Sequence, residues 1–149
     1  MRFFETIGSA IVIAYDDRPI LTTDAWIEGD AYFGSWGLDY EIPVPQMQAI
    51  RDAEFHWFSH GHPDHTNVAS LPMLTKGEFL LSDHYGNRIR RDLAAAGYRV
   101  RVLPRHFPAP STRALSSSAG SIDFIAAEII TKATVPSNSA MTQAMPQAE

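Results

Sequence analysis

The chain has no cysteine. That excludes disulfides, thiolate metal sites and cysteine nucleophiles together. Any metal must be held by histidine and carboxylate. Long apolar runs are also missing: Gly8 to Tyr15 falls far short of the ~20 residues that span a bilayer. Glu5 interrupts the apolar character before that run and Asp16-Asp17 ends it, which is unlike a secretory signal. The expectation is a soluble, cytoplasmic protein with no transmembrane segment. Basic residues are outnumbered. Twelve Lys and Arg against 17 Asp and Glu leave a formal charge of −5. Binding to a phosphate backbone calls for the opposite balance, so no nucleic-acid partner is expected.

What remains is ordinary globular composition, 45% apolar and 19% charged over 149 residues, enough for one domain with a buried core. The character changes near position 106. All three Trp and all five Tyr precede it. From Phe107 to Glu149, Ala, Ser, Thr and Pro dominate, with one apolar stretch at Ile122 to Ile130. Residues 1–106 therefore read as the folded unit and residues 107–149 as an irregular, poorly ordered tail.

Within the first part, β-rich runs at Ser9 to Tyr15 and Pro19 to Asp24 flank a tight turn and predict a hairpin. An aromatic loop, Trp26 to Tyr40, follows. Pro43 and Pro45 open a helix to about Asp52, since proline suits the first turn. Strands are predicted at Phe55 to Ser59, Glu78 to Ser82 and Arg99 to Leu103. Helices are predicted from Thr66 to near Pro72 and from Asn87 to Gly97, with Asn87 as cap. Alternating strands and helices imply parallel βαβ units, hence an α/β fold. Ligands of such sheets sit beyond the carboxyl ends of the strands.

One segment carries chemistry at such an end. Ser59-His60-Gly61-His62-Pro63-Asp64-His65 places three His and one Asp directly after an apolar strand. Imidazole and carboxylate suit zinc and related ions. Gly61 and Pro63 permit a tight turn, so the side chains converge rather than alternate. The spacing puts His60 and His62 on one ion, with Asp64 and His65 facing a second position.

HGHPDH matches the His-x-His-x-Asp-His motif and so resembles the metallo-β-lactamase superfamily. The hairpin ending in Asp24 is also similar to that family. The loop TDAWIEGDAYFGSW resembles a branch related to the CMP-sialic acid hydroxylases and the N-acyl-phosphatidylethanolamine phospholipases, with Ala25 where that branch tends to have proline. The resemblance runs from about Ile11 to Pro104. It implies a partial αββα sandwich, one sheet with flanking helices, followed by an irregular tail. It implies a metal-dependent hydrolase acting on a small-molecule or lipid-like substrate. His60, His62, Asp64 and His65 would be ligands for one or two zinc ions, iron or manganese being the alternatives. Asp64 would also take a proton from the attacking water. Asp24 would accept a hydrogen bond from a ligand His or from loop amides. His62 stands where the di-iron oxidoreductase branch typically has Glu, which favours hydrolysis.

The chain departs from the family downstream. A third ligand for the first ion would have to come from His84 or His106, and Asp123 is the acidic candidate in the tail. The expectation is therefore the N-terminal half of the fold, truncated and weakly active or inactive. An apolar sheet face including Ile11, Ile13 and Phe58 would then be exposed and favour self-association. The competing readings are an oxidoreductase- or hydroxylase-associated protein of the same fold, and a non-catalytic metal-binding fragment. His56 is read as structural, by alternation with Phe55 and Trp57. Trp26, Tyr32, Phe33 and Trp36 either line a pocket mouth or seal the sheet edge. The run Arg88, Arg90, Arg91, Arg99, Arg101 and Arg105 reads as a solvated face.

Overall fold

The computed structural model describes residues 2–8, 10–83 and 87–103. His84, His106, Asp123 and the 107–149 tail lie outside the described residues. The described chain forms one six-stranded sheet and two helices. The strands are β1 (Arg2–Ile7), β2 (Ile11–Asp16), β3 (Arg18–Thr23), β4 (Phe55–Phe58), β5 (Glu78–Ser82) and β6 (Val100–Leu103); the helices are α1 (Val44–Asp52) and α2 (Arg88–Ala95). The strands lie in sequence order. β1, β2 and β3 pair antiparallel, and β3 through β6 pair parallel. The α/β expectation holds at this level; the described residues contain one sheet.

The turn between β2 and β3 rests on Asp17, which takes the left-handed conformation at φ 63°. Asp is among the residues that tolerate it. α1 begins at Val44 with Pro45 in its first turn. Ala49 and Ile50 are buried and Met47 packs beside them. α2 buries Leu93 against the same face of the sheet. Asn87 stands at its N-cap position but makes no side-chain cap hydrogen bond.

Two elements depart from expectation. β1 was not foreseen. It is a largely exposed edge strand held by Tyr15, whose ring stacks on Phe3 and whose hydroxyl donates to Glu5 Oε2 at 2.6 Å. The helix expected from Thr66 does not form; turns lead into a single 3-10 turn at Leu71–Met73. The Asn67 side chain accepts from the nearby Ala69 amide, which competes with helix propagation, and the Ser70 hydroxyl accepts from the distant Ile27 amide.

The expected exposed apolar face is also corrected. Ile11, Ile13 and Phe58 are buried at 3%, 0% and 1% exposure in the core beneath α1 and α2. Ala14, Leu21, Phe55, Leu80 and Leu103 form a second buried cluster. No described helix is long and apolar enough to cross a membrane.

Candidate functional site

Parallel pairing sets the carboxyl ends of β3, β4 and β5 along one sheet edge. Thr23 pairs with Trp57 and Phe58 with Leu81, so Asp24 and the loop after β4 meet there. The Asp24 amide donates to the Trp57 carbonyl at 2.8 Å. Its backbone has φ 39°, a left-handed conformation that costs a non-glycine residue about 1–3 kcal/mol. Its carboxylate is buried at 6% exposure. Oδ1 accepts from the Ser59 amide at 2.7 Å and Oδ2 lies 3.1 Å from His65 Nδ1.

The motif loop is tightly wound. The His65 and Thr66 amides donate to the His62 carbonyl, and the Thr66 hydroxyl donates to the His60 carbonyl at 2.7 Å. Buried Asn67 ties the loop to the aromatic segment through the Pro63 and Asp30 carbonyls. Ser70 receives the Ile27 and Glu28 amides. Gly61 lies against Ile89: a Cβ there would meet Ile89 Cδ1 at 2.5 Å and require that side-chain end to shift.

All four motif side chains stand together. His60 Nε2 lies 2.9 Å from His62 Nδ1, and the His60 ring lies 4.1 Å from the His65 ring, centroid to centroid. His65 Nε2 is 3.5 Å from Asp64 Oδ2. The Tyr32 hydroxyl donates to Asp64 Oδ1 at 2.7 Å. No group of three or more His, Asp or Glu converges as a cage for one ion among the described residues. The arrangement is two donor pairs rather than one closed site.

One set of tautomers satisfies these contacts together. Ser59 Oγ lies 2.8 Å from His60 Nδ1; in the tautomer whose Nδ1–H donates to the hydroxyl, Nε2 turns its lone pair toward His62. Asp24 does the same for His65, leaving the Nε2 lone pair facing the Asp64 carboxylate. Two acceptors facing each other need a proton or a cation between them. Ser59, His65 and Asp24 do not form a serine-type triad. Ser59 Oγ, at 3.4 Å, and Asp24 contact the same His65 nitrogen, whereas a triad needs opposite ring nitrogens.

Burial holds the His60 pKa below the ordinary imidazole value, reinforced by His65 and His62 against the pull of Asp24 and Asp64. Burial alone would raise Asp64. The Tyr32 hydroxyl, a backbone N–H and the nearby histidines outweigh it and leave the carboxyl below its usual range. The Tyr32 phenol is raised in turn, chiefly by that hydrogen bond.

Two cavities flank the loop. The larger, about 390 Å³, runs from His60 and Thr66 past Ser82 to Ile89 and Arg90. The smaller, about 200 Å³, is lined by Asp24, Asp64 and His65 together with Trp26, Trp36 and Tyr40. The aromatic loop therefore lines a pocket; Phe33 and Trp36 are exposed rather than packed as a seal. Of the basic run, Arg101 pairs with Glu78, Arg88 with Asp92, and Arg90 reaches the larger cavity.

His56 is fully buried in the sheet. Its Nδ1 meets Thr22 Oγ1 at 2.7 Å, and no hydrogen bond of ordinary geometry reaches Nε2. Sequence reasoning did not find Ser59, Tyr32, Asn67 or Ser70 as supports of the site. Only Ser59 carried a local signal, by adjoining the motif.

Comparison with known proteins gives a partial likeness. The chain is similar to the cytidine monophosphate-N-acetylneuraminic acid hydroxylase of Asterias rubens, 33% identical over 57 residues, which is 38% of this chain and 9% of that protein. It is similar to the same-named protein of Danio rerio, 31% identical over 67 residues, 45% of this chain and 11% of that one. The matched stretch thus spans about a tenth of these curated relatives. No protein-family model matches the chain. No solved structure matches it.

Proposed function

We propose that the chain is a metal-dependent hydrolase of the metallo-β-lactamase kind, with zinc held on the HGHPDH loop. One observation carries the reading: the spacing of the donor pairs, 2.9 Å for His60 Nε2 with His62 Nδ1 and 3.5 Å for His65 Nε2 with Asp64 Oδ2. Two ligands of one tetrahedral zinc stand ~3.3 Å apart when each bond is 2.0–2.1 Å. Both pairs lie close to that spacing, so the donors fit one or two ions. Iron and manganese accept the same donors.

An ion bound there supplies Lewis acidity and brings the pKa of water toward neutrality. The chain's residues supply orientation. Ser59 fixes His60 through Nδ1, Asp24 fixes His65 through Nδ1, and Tyr32 fixes Asp64. The lowered pKa of Asp64 keeps it ionised, which suits a cation ligand and makes it a weak acceptor for a proton from water. An ester, amide, lactone or phosphodiester would approach along the larger cavity beside His60. His60 and His62 alone hold zinc less firmly than three ligands, so turnover is slow unless His84 or His106 completes the set.

The similarity to CMP-N-acetylneuraminic acid hydroxylases favours a second reading, a part in an oxidoreductase system. With no cysteine here, a Cys-ligated redox cluster would lie on another chain. Metal content and turnover separate the two. The hydrolase reading expects zinc in the purified chain and zinc-dependent cleavage of generic esters or phosphodiesters, lost in His60→Ala. Stoichiometric redox-active iron without hydrolysis supports the second reading. Neither metal nor turnover sinks both.

A further inference from the structure

The smaller cavity has a chemistry that hydrolysis at the loop does not use. Trp26, Trp36 and Tyr40 line about 200 Å³ together with Asp24, Asp39 and Asp64, and among the described residues no Lys or Arg lines it. Asp24 and Asp64 are engaged by the motif loop and Tyr32. Asp39 makes no hydrogen bond or ion pair with any described residue.

The rings are fixed without being packed away. Trp36 is 55% exposed and Tyr40 37%. Trp26 Nε1 donates to the Gly29 carbonyl at 2.9 Å. Trp36 is clamped by reciprocal backbone bonds with Ala31 and meets the Tyr32 ring edge-on at 4.9 Å. Tyr40 lies over Gly8, where an added Cβ would fall 2.4 Å from its hydroxyl. Clustered aromatic surface left open to water forgoes the gain from burial, ~25 cal/mol per Å². Holding it in place preserves a wall.

An aromatic wall beside an uncompensated carboxylate attracts organic cations. The ring faces draw positive charge and the carboxylate supplies the counter-charge. An anion would meet three carboxylates, and a neutral apolar group would desolvate Asp39 without return. The volume is below the ~300 Å³ of pockets for drug-sized ligands, so it suits a head group.

We propose that this cavity binds a small organic ammonium group against Trp36 and Tyr40, with Asp39 as counter-charge. Asp24, Asp64 and His65 line the same cavity, so the group belongs to a substrate whose reacting bond lies at the motif loop. That last step rests on the hydrolase reading; the binding itself does not.

The test uses the 149-residue chain stripped of metal by chelator, titrated with choline and followed by tryptophan fluorescence and calorimetry. Its uncharged carbon isostere, 3,3-dimethylbutan-1-ol, is the control. Choline should bind saturably and the isostere at least about tenfold more weakly. Asp39→Asn and Trp36→Leu should each weaken choline by roughly three- to thirty-fold, with thermal unfolding unchanged in Asp39→Asn, whose side chain is exposed. His60→Ala should keep full choline binding, which separates this claim from metal binding. Absence of saturable choline binding, equal binding of the isostere, or full-strength binding by both cavity variants would overturn it.

Discussion

Acid should unfold this protein through His56. The side chain is fully buried between strands, and burial pushes its pKa down to about 4 from 6.5, against a weaker pull from the Leu74 backbone. Between those values the unfolded chain takes a proton that the folded chain refuses. Stability is therefore fully present above about pH 6.5 and lost as pH falls toward 4. The full shift corresponds to roughly 3 kcal/mol, and about 2 kcal/mol should be gone by about pH 5. His60 shifts in the same direction, so the wild-type slope alone does not isolate His56. His56→Leu by itself strands the Thr22 hydroxyl, a cost of ~1–3 kcal/mol. Thr22→Val with His56→Leu removes both partners and is the cleaner comparison. Urea unfolding at about pH 8 and about pH 5, followed by tryptophan fluorescence, gives the difference. The double variant should lose about 2 kcal/mol less than wild type over that interval. An equal loss in both proteins would refute the assignment.

Gly77→Ala should destabilise by about 1–3 kcal/mol, because the added Cβ would lie 2.4 Å from the His56 ring and 2.9 Å from the Ala53 carbonyl; an unchanged denaturation midpoint would count against this packing. Asp24→Asn keeps an acceptor for the Ser59 amide but weakens the hold on His65. Zinc affinity, measured by competition with a chromophoric chelator, should fall about 10–100-fold, and wild-type affinity would remove Asp24 from the site. Tyr32→Phe deletes the hydroxyl bonded to Asp64, so the Asp64 carboxyl should titrate at higher pH in a carbon-detected NMR titration; an unmoved titration would show that the bond does not form in solution.

The parts of this fold legible in sequence were those written locally. Ile11 to Tyr15, Phe55 to Phe58 and Glu78 to Ser82 are short apolar runs with clear ends, and each forms a strand. The motif loop was legible because its four functional side chains lie within six residues and its turn needs only Gly61 and Pro63. β1 was not, because Arg2 and Glu5 break the apolar pattern of an edge strand whose faces are mostly wet. The helix expected after Thr66 failed because Asn67 and Ser70 spend their side chains on nearby and distant backbone. Tyr32 was weighed only as a pocket aromatic. Its bond to Asp64 crosses 32 positions of sequence, and nothing in the local pattern of either residue announces the other. Asp39 likewise acquires meaning only once the loop sets it beside Trp36 and Tyr40.

The central claim is that His60 and His62 share a metal ion. Imidazole nitrogen-15 shifts during a zinc titration test it most directly, since each ring nitrogen reports its own proton, lone pair or metal. The geometry predicts that His60 Nε2 and His62 Nδ1 move together to metal-bound values, with His60 Nδ1 remaining protonated against Ser59. Zinc that leaves both nitrogens unmoved, or that shifts His60 Nδ1 in place of Nε2, would contradict it.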